Sequence, residues 1–280
     1  MTVLLQVSDP HFGAERAPVV AALEVLVREL RPDVLVLSGD ITQRATTAQF
    51  AAARAFVDRL QLPALVAIPG NHDIPLFNLA ARMLWPYANY ARAFGRDLEP
   101  HFENDDVLVL ALNTTRRWRH VDGEVSAAQV RRVARRVEQA PSTQHRIVVV
   151  HQPVAVTRPQ DVHNLLHGGE AAVRRWSQAG VDVVLGGHIH LPFVLPLHER
   201  WAGLPRPIWA VQAGTAVSHR VRADAGNSVN VIRIDRGADT PGSAASTTTR
   251  HLQVERWDHA QTAQRFECVA MHRLPGRHEG

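Results

Sequence analysis

Short apolar runs punctuate the chain, and most of them stop abruptly at a polar cluster. Residues 3–7, 34–37 and 64–68 are near-continuous apolar runs of strand length. Between them, 17–30 and 46–60 carry apolar positions at helical spacing: Val20, Leu23, Leu26, Val27 and Leu30, then Phe50, Ala53, Phe56, Val57 and Leu60. This β-α-β-α-β alternation, with strands apolar on both faces, predicts a parallel sheet covered by helices. The rhythm returns at 107–112, helix 126–139, 147–150, helix 170–179 and 181–185. Residues 76–104 interrupt it. A helical stretch at 76–83 is broken by Pro86, and Tyr87, Tyr90 and Phe94 follow among Arg82, Arg92 and Arg96. The expectation is an irregular helical insertion near the mouth of a site, its aromatics serving either the site or plain packing. From about residue 192 the segments 192–197, 207–212, 229–235, 251–257 and 264–270 are short and strand-like with no helix between them, which predicts an antiparallel sheet appended to the α/β part. Residues 236–250, rich in Gly, Ser, Thr and Ala, read as a mobile loop, and the residues from Pro275 as a frayed tail.

The ends of the runs carry the chemistry. The first leads to Asp9-Pro10-His11, the second to Gly39-Asp40, and the third, through Pro69 and Gly70, to Asn71-His72-Asp73. The run at 147–150 leads to His151, and that at 181–185 to Gly186-Gly187-His188-Ile189-His190. In open α/β sheets ligands bind outside the carboxyl ends of the strands, so these clusters are expected to converge on one cleft. Glycines beside them (Gly39, Gly70, Gly186, Gly187) permit tight turns and close backbone approach.

Composition narrows the setting. The chain has 280 residues and a net charge of +4, too small to imply a polyanionic partner by itself. Every basic side chain among the 31 Lys and Arg is arginine. No apolar stretch reaches the roughly 18–20 residues that span a bilayer. The first apolar run is cut by Asp9 and His11 and has no basic flank, unlike a secretory signal. The single cysteine, Cys268, excludes an internal disulfide framework. The expectation is a cytoplasmic protein with no membrane association. Arg131, Arg132, Arg135 and Arg136 read as a solvated helix face.

Histidine, at 16 residues, is the informative excess. Asp9, His11, Asp40, Asn71, His151, His188 and His190 are seven candidate ligands, too many for one metal that keeps an open position and suited to two. Mixed carboxylate, imidazole and amide donors suit two divalent transition ions such as Mn, Fe, Zn or Co. Such a pair, roughly 3.5–4 Å apart, clamps an in-line displacement at phosphorus and supplies hydroxide near neutral pH. His72 follows a ligand without being needed as one, which leaves it free to protonate the leaving oxygen, and Asp73 is placed to orient its ring. His145, His163 and His167 read as framework rather than ligands.

Asp9-x-His11, Gly39-Asp40, Gly70-Asn71-His72-Asp73, His151 and Gly187-His188-x-His190, in this order, resemble the calcineurin-like metallophosphoesterases over residues 3 to about 235. The intact Asn-His-Asp and the stretch from Pro75 to Leu79 look like the class III cyclic-nucleotide (cAMP) phosphodiesterases within that superfamily. The resemblance implies an α/β fold, a four-layer α-β-β-α sandwich of two mixed sheets, and a single metallophosphoesterase domain over 1–280. It also implies that Asp9, His11 and His190 hold the first metal, that Asn71, His151 and His188 hold the second, that Asp40 bridges, and that His72 contacts the phosphate. One departure stands out: many relatives follow the His151 position with a second histidine, where this chain has Gln152.

The expected function is a dinuclear-metal phosphodiesterase hydrolysing small phosphodiesters, cyclic nucleotides among them. A nuclease or a nucleotide or lipid-precursor diphosphate hydrolase is the alternative within the same chemistry. A nuclease needs a basic track with stacking aromatics, of which Arg116, Arg117, Trp118 and Arg119 are the only local hint, so nucleic acid is disfavoured. Relatives that cleave lipid-precursor diphosphates usually carry Arg where His72 stands. A non-enzymatic scaffold ranks last, because such relatives have lost ligands and this chain has lost none. The partner expected is a small phosphodiester, and the assembly considered is a homodimer.

Overall fold

The structure, a computed structural model, describes residues 1–236 and 250–277. The alternation read from the sequence is present. β1 (Thr2–Val7), α1 (Ala17–Leu30), β2 (Val34–Ser38), α2 (Thr47–Leu60) and β3 (Ala64–Ile68) come first. α3 (Leu79–Leu84), α4 (Ala88–Phe94), β4 (His101–Glu103) and β5 (Val107–Ala111) follow. Then come α5 (Ala127–Glu138), β6 (His145–Val149), α6 (Gly169–Ala179), β7 (Val183–Gly186), β8 (Phe193–Pro196) and the one-turn α7 (Leu197–Arg200). β9 (Trp209–Gln212), β10 (Ser228–Arg236), β11 (Arg250–Ala260) and β12 (Arg265–Arg277) complete the order.

Local signals explain the helix boundaries. Thr46 caps α2 by accepting the Gln49 N–H, and Ser126 and Gln129 exchange reciprocal bonds at the start of α5. α1 stops at Arg31, in a left-handed conformation immediately before Pro32.

The strands form two six-stranded mixed sheets, ordered β12-β11-β10-β1-β2-β3 and β4-β5-β6-β7-β9-β8. Their period-two alternation builds the layers. Leu5, Val7, Leu35 and Leu37 face α1 and α2 in one core, whereas Leu4, Val34 and Val36 point the other way and meet Val109, Ile147, Val149 and Leu185 of the second sheet. Val148, Val150 and Val184 face α5 and α6. Two facing sheets with helices outside both give the four-layer sandwich. Among the described residues no helix is long and apolar enough to cross a membrane.

The strands after residue 192 do not form one appended sheet. β9 joins the second sheet parallel to β7, with β8 antiparallel at its edge, while β10, β11 and β12 extend the first sheet antiparallel to β1. Apolar periodicity identifies a strand but not its neighbour, which is why this part of the topology was not readable. Residues 275–277 continue β12 rather than fraying, and 278–280 lie outside the described residues. The loop expected at 236–250 also lies outside them, apart from its two end residues in β10 and β11.

In the 76–104 segment, Tyr90 is buried, stands edge-on to Phe50 at 6.1 Å and donates its hydroxyl to the Ala67 carbonyl at 2.7 Å. Phe94 packs beside it. These two rings serve packing, while Phe77 and Trp85 stay exposed.

Candidate functional site

Five strand ends deliver the candidate ligands. Asp9 and His11 follow β1, Asp40 follows β2, Asn71 and His72 follow β3, His151 follows β6, and His188 and His190 follow β7. The loops turn sharply to bring them together. Asp9, His11, Asp40, His188 and His190 have φ between +46° and +72°, in the left-handed region that costs ordinary residues roughly 1–2 kcal/mol each. They make up five of the nine described non-glycine residues in that conformation, so backbone strain is concentrated at the cluster. Two glycines make room. Gly39, at φ +100°, lies where a Cβ would run into the His151 ring, and a Cβ on Gly70 would collide with the backbone and carboxylate of Asp40.

The donor atoms fall into three overlapping groups, each gathered within 4.8 Å: Asp9, His11 and His190; His11, Asp40 and His72; Asp40, His151 and His188. Asp40 belongs to two of them. Its Oδ1 lies 3.2 Å from His151 Nε2 and its Oδ2 lies 3.9 Å from His11 Nε2. Asn71 Oδ1 lies 3.3 Å from His151 Nε2. At the other end, the Nε2 atoms of His11 and His190 face each other at 3.1 Å, with Asp9 Oδ1 3.2 Å from His190 Nε2.

Surrounding groups fix which atoms face inward. His151 Nδ1–H donates to the Ser38 carbonyl at 2.9 Å and His190 Nδ1–H to the Arg220 carbonyl at 2.6 Å, so both rings present Nε2 to the cluster. Asp9 Oδ2 accepts from the Ser8 hydroxyl and from the His188 N–H, leaving Oδ1 turned inward.

The electrostatics suit cation binding. Burial alone would raise Asp9 and Asp40, yet the histidines around them hold both carboxyls below the usual carboxylate range, His190 acting chiefly on Asp9 and His151 on Asp40. Burial pushes His11 down to about 3, and burial together with His151 pushes His188 down to about 4, so both rings are neutral at physiological pH, the form in which an imidazole can ligate a metal. Burial opposes charge on His151 as well, but the Asp40 carboxylate outweighs it and raises the ring to about 9. Two anionic carboxylates, an amide oxygen and four imidazoles converge in a buried space. Asp9 Oδ1 and His188 Nδ1 find no hydrogen-bond partner among the described residues. The donor set fits a dinuclear metal centre.

His72 also sits on the cluster. Its Nδ1–H donates to the Gln43 carbonyl at 3.0 Å, so Nε2 faces the cleft. The expected contact between Asp73 and that ring is not formed, which is a correction. Asp73 is buried, and its carboxylate accepts the N–H groups of Ile41, Thr42 and Gly70 and the Thr42 hydroxyl. It ties the loop after β3 to the loop after β2, and Gln43 orients His72 instead. Burial and the nearby Asp40 raise Asp73 to about 6. Gln152 is buried, accepts from the Thr114 hydroxyl at 2.6 Å and donates to the Val121 carbonyl, so it supports the loop carrying His120 and Val121 along the cleft. His145 is buried against Asp182 and the Arg250 carbonyl, and His163 and His167 are exposed; none of the three joins a ligand group among the described residues.

Three cleft residues were not anticipated: His120, Asn164, whose side-chain oxygen lies 3.2 Å from His188 Nε2, and Arg220, whose Nη1 lies 3.0 Å from His72 Nε2. Arg220 sits in the loop after β9. That strand runs parallel to β7, so its carboxyl end opens on the same edge as His188 and His190.

Comparison with known proteins gives the family by sequence and the fold by superposition. Residues 2–192 match the sequence profile of the calcineurin-like phosphoesterases. A probable cyclic nucleotide phosphodiesterase from a Synechococcus species is 27% identical over 205 residues, covering 68% of this chain and 74% of that protein. Among solved structures, a dimetal phosphatase from Danio rerio superposes with a TM-score of 0.66 at 12% identity, covering 98% of both chains. A purple acid phosphatase from yellow lupin seeds superposes with a TM-score of 0.67 at 9% identity over 98% of this chain, which spans about half (53%) of the lupin protein.

Proposed function

This chain belongs to the calcineurin-like phosphoesterase family, and from that premise we propose that it is a dinuclear-metal phosphodiesterase acting on small phosphodiesters, with cyclic nucleotides as the leading substrate class. The observation that carries the reading is the convergence of seven donors from five strand ends, with Asp40 shared between two ligand groups. The cyanobacterial relative, a probable cyclic nucleotide phosphodiesterase, supports the substrate class.

In this reading Asp9, His11 and His190 would hold one ion, Asn71, His151 and His188 would hold the other, and Asp40, which belongs to two of the donor groups, would be shared between them. When bound, the ions supply positive charge for the phosphoryl oxygens and acidify water. The chain supplies the rest. Ser38 and the Arg220 carbonyl keep His151 and His190 in the ligating tautomer. His72, with Nδ1–H held by Gln43, presents Nε2 to the cleft; the neutral ring accepts there from Arg220 Nη1, and the doubly protonated ring would carry at that position the proton for the leaving oxygen. Asp73 is a positioning residue that holds the two loops in register. The proposed setting is cytoplasmic and the proposed assembly a homodimer.

The test is a metal-reconstituted screen against 3′,5′-cyclic nucleotides, bis-p-nitrophenyl phosphate, p-nitrophenyl phosphate and single-stranded DNA. Turnover of both diesters in preference to the monoester and the DNA is expected. A preference for the monoester would move the assignment to a phosphatase.

A further inference from the structure

Arg220 is a residue whose surroundings do not account for its charge. Its backbone is anchored among the candidate ligands. The N–H donates to the Ser218 hydroxyl at 3.1 Å, Ser218 meets the Thr215 hydroxyl at 2.7 Å, and Thr215 donates to the Asp9 carbonyl at 2.7 Å. The Arg220 carbonyl accepts the hydrogen bond of His190 Nδ1–H, and the adjacent His219 N–H donates to the Ala14 carbonyl at 3.0 Å. The loop is therefore tied both to the loop after β1 and to His190, which fixes where the side chain begins.

From there the guanidinium extends into the cleft. Nη1 lies 3.0 Å from His72 Nε2, 3.3 Å from Gln43 Oε1 and 3.4 Å from His11 Nδ1. None of these partners is a carboxylate, and among the described residues Arg220 forms no ion pair. Its Nε and Nη2 donate to nothing described. The neighbouring Arg222 differs: it pairs with Asp161 at 2.9 Å and donates to the Ile189 carbonyl at 3.1 Å. Arg222 is a fastener holding the 159–164 turn to this loop, whereas Arg220 keeps an open donor fork, with no carboxylate paired to it among the described residues, in a cleft of about 320 Å³. A guanidinium fork matches the oxygens of a phosphate, and a charge-assisted pair of this kind gains strength in a site shielded from water.

We propose that Arg220 is a phosphate-binding catalytic residue, its guanidinium taking an unesterified phosphoryl oxygen of the substrate beside His72. The proposal rests on the phosphoester-hydrolase reading of the site and adds a residue to it. The charge that builds on the phosphoryl oxygens during transfer falls within reach of the fork, so the contact serves both binding and turnover. It also makes Gln43 a shared support, orienting His72 through its carbonyl and Arg220 through its side chain.

The experiment measures inorganic phosphate binding to the full, metal-reconstituted chain by calorimetry, for the wild type, Arg220→Ala and Arg220→Lys, with metal content read alongside. Arg220→Ala is expected to weaken phosphate binding by about tenfold or more at unchanged metal content, and Arg220→Lys to recover part of the loss, since an ammonium restores charge without the fork. Phosphate affinity in Arg220→Ala within about twofold of wild type would overturn the proposal. So would a wild type that binds no phosphate, or a loss of metal in Arg220→Ala, which would make the side chain a support for the ligands. Phosphate binding that depends on Arg220 in a protein that cleaves no diester would retain this inference and sink the phosphodiesterase assignment.

Discussion

Asp40 Oδ1 accepts the backbone N–H of His72 at 2.8 Å while lying 3.2 Å from the Nε2 of His151. One carboxylate thereby joins the loop after β2, the loop after β3 and a histidine of the opposite sheet, and its second oxygen faces His11. That placement makes Asp40 the hinge between the two proposed metal positions.

Asp40→Asn keeps an oxygen for the His72 N–H but removes the charge. Elemental analysis after reconstitution should show both ions depleted. Asn71→Ala, at one end of the cluster, should deplete mainly one. Equal single-site losses in the two variants would contradict the bridging role. A chelator should lower the melting temperature of the wild type, because each ion that binds only the folded chain adds about 2.7 kcal/mol at a concentration one hundred times its Kd. The Asp40→Asn protein should show little chelator response.

His72 shares a 4.8 Å group with His11 and Asp40, so proximity alone leaves ligand and acid both open. Its Nδ1–H is committed to Gln43, so a transferable proton would sit on Nε2 of the doubly protonated ring. His72→Ala should retain its metals and lose about 10²–10⁴-fold in turnover. The loss should be larger on cyclic nucleotides, whose alkoxide needs a proton, than on an aryl diester, whose phenolate leaves unaided. Equal losses would reduce His72 to a phosphate contact, and a missing metal would make it a ligand.

What the sequence disclosed follows from how the site is built. Seven donors sit within five residues of a buried strand's end, so apolar runs and their polar terminators disclosed the cluster together with its strands. Arg220 escaped because a lone Arg in a lysine-free chain with 31 basic residues carries no compositional signal, and because β9 was assigned to an antiparallel appendage instead of the parallel row. The role of Asp73 is hidden from the sequence for a different reason. Adjacency to His72 suggests a ring contact, but the 3₁₀ turn over Asn71–Asp73 directs the carboxylate away to backbone donors. Side-chain direction within a tight turn is set by tertiary hydrogen bonds that sequence spacing does not encode.

Asp73 gives the third prediction. Its carboxylate satisfies three buried backbone N–H groups and one hydroxyl. Each donor left unmet costs about 1–3 kcal/mol, so Asp73→Ala should destabilise the chain by about 3 kcal/mol or more in urea unfolding. Metal affinity should fall with it, since Asp40 and Asn71 lose their shared support. A variant that keeps full stability and metal content but loses turnover would show that Asp73 acts on the chemistry after all.

The last prediction concerns Tyr90, which is not one of the candidate ligands. Its hydroxyl donates to the Ala67 carbonyl at 2.7 Å inside the core, and burial, reinforced by Asp73 and Asp97, raises the phenol well above its ordinary value of 10.0. Below pH 10 the group is neutral in folded and unfolded chains alike and contributes no slope. Above it the unfolded chain releases the proton first, so stability falls as pH rises, by about 1.4 kcal/mol per pH unit for this one group. Tyr90→Phe removes that slope. At pH 8 the variant should be less stable by about 1 kcal/mol, because the Ala67 carbonyl has lost its donor. The gap should narrow above pH 10 and close about one unit higher, as the wild type alone sheds the contribution of this phenol. Paired urea titrations of the two proteins between pH 8 and 11 measure the gap directly. A gap that stays constant across that range would mean that the hydroxyl ionises as easily in the fold as out of it, and that Tyr90 does not hold the helical segment to β3 in the way its burial implies.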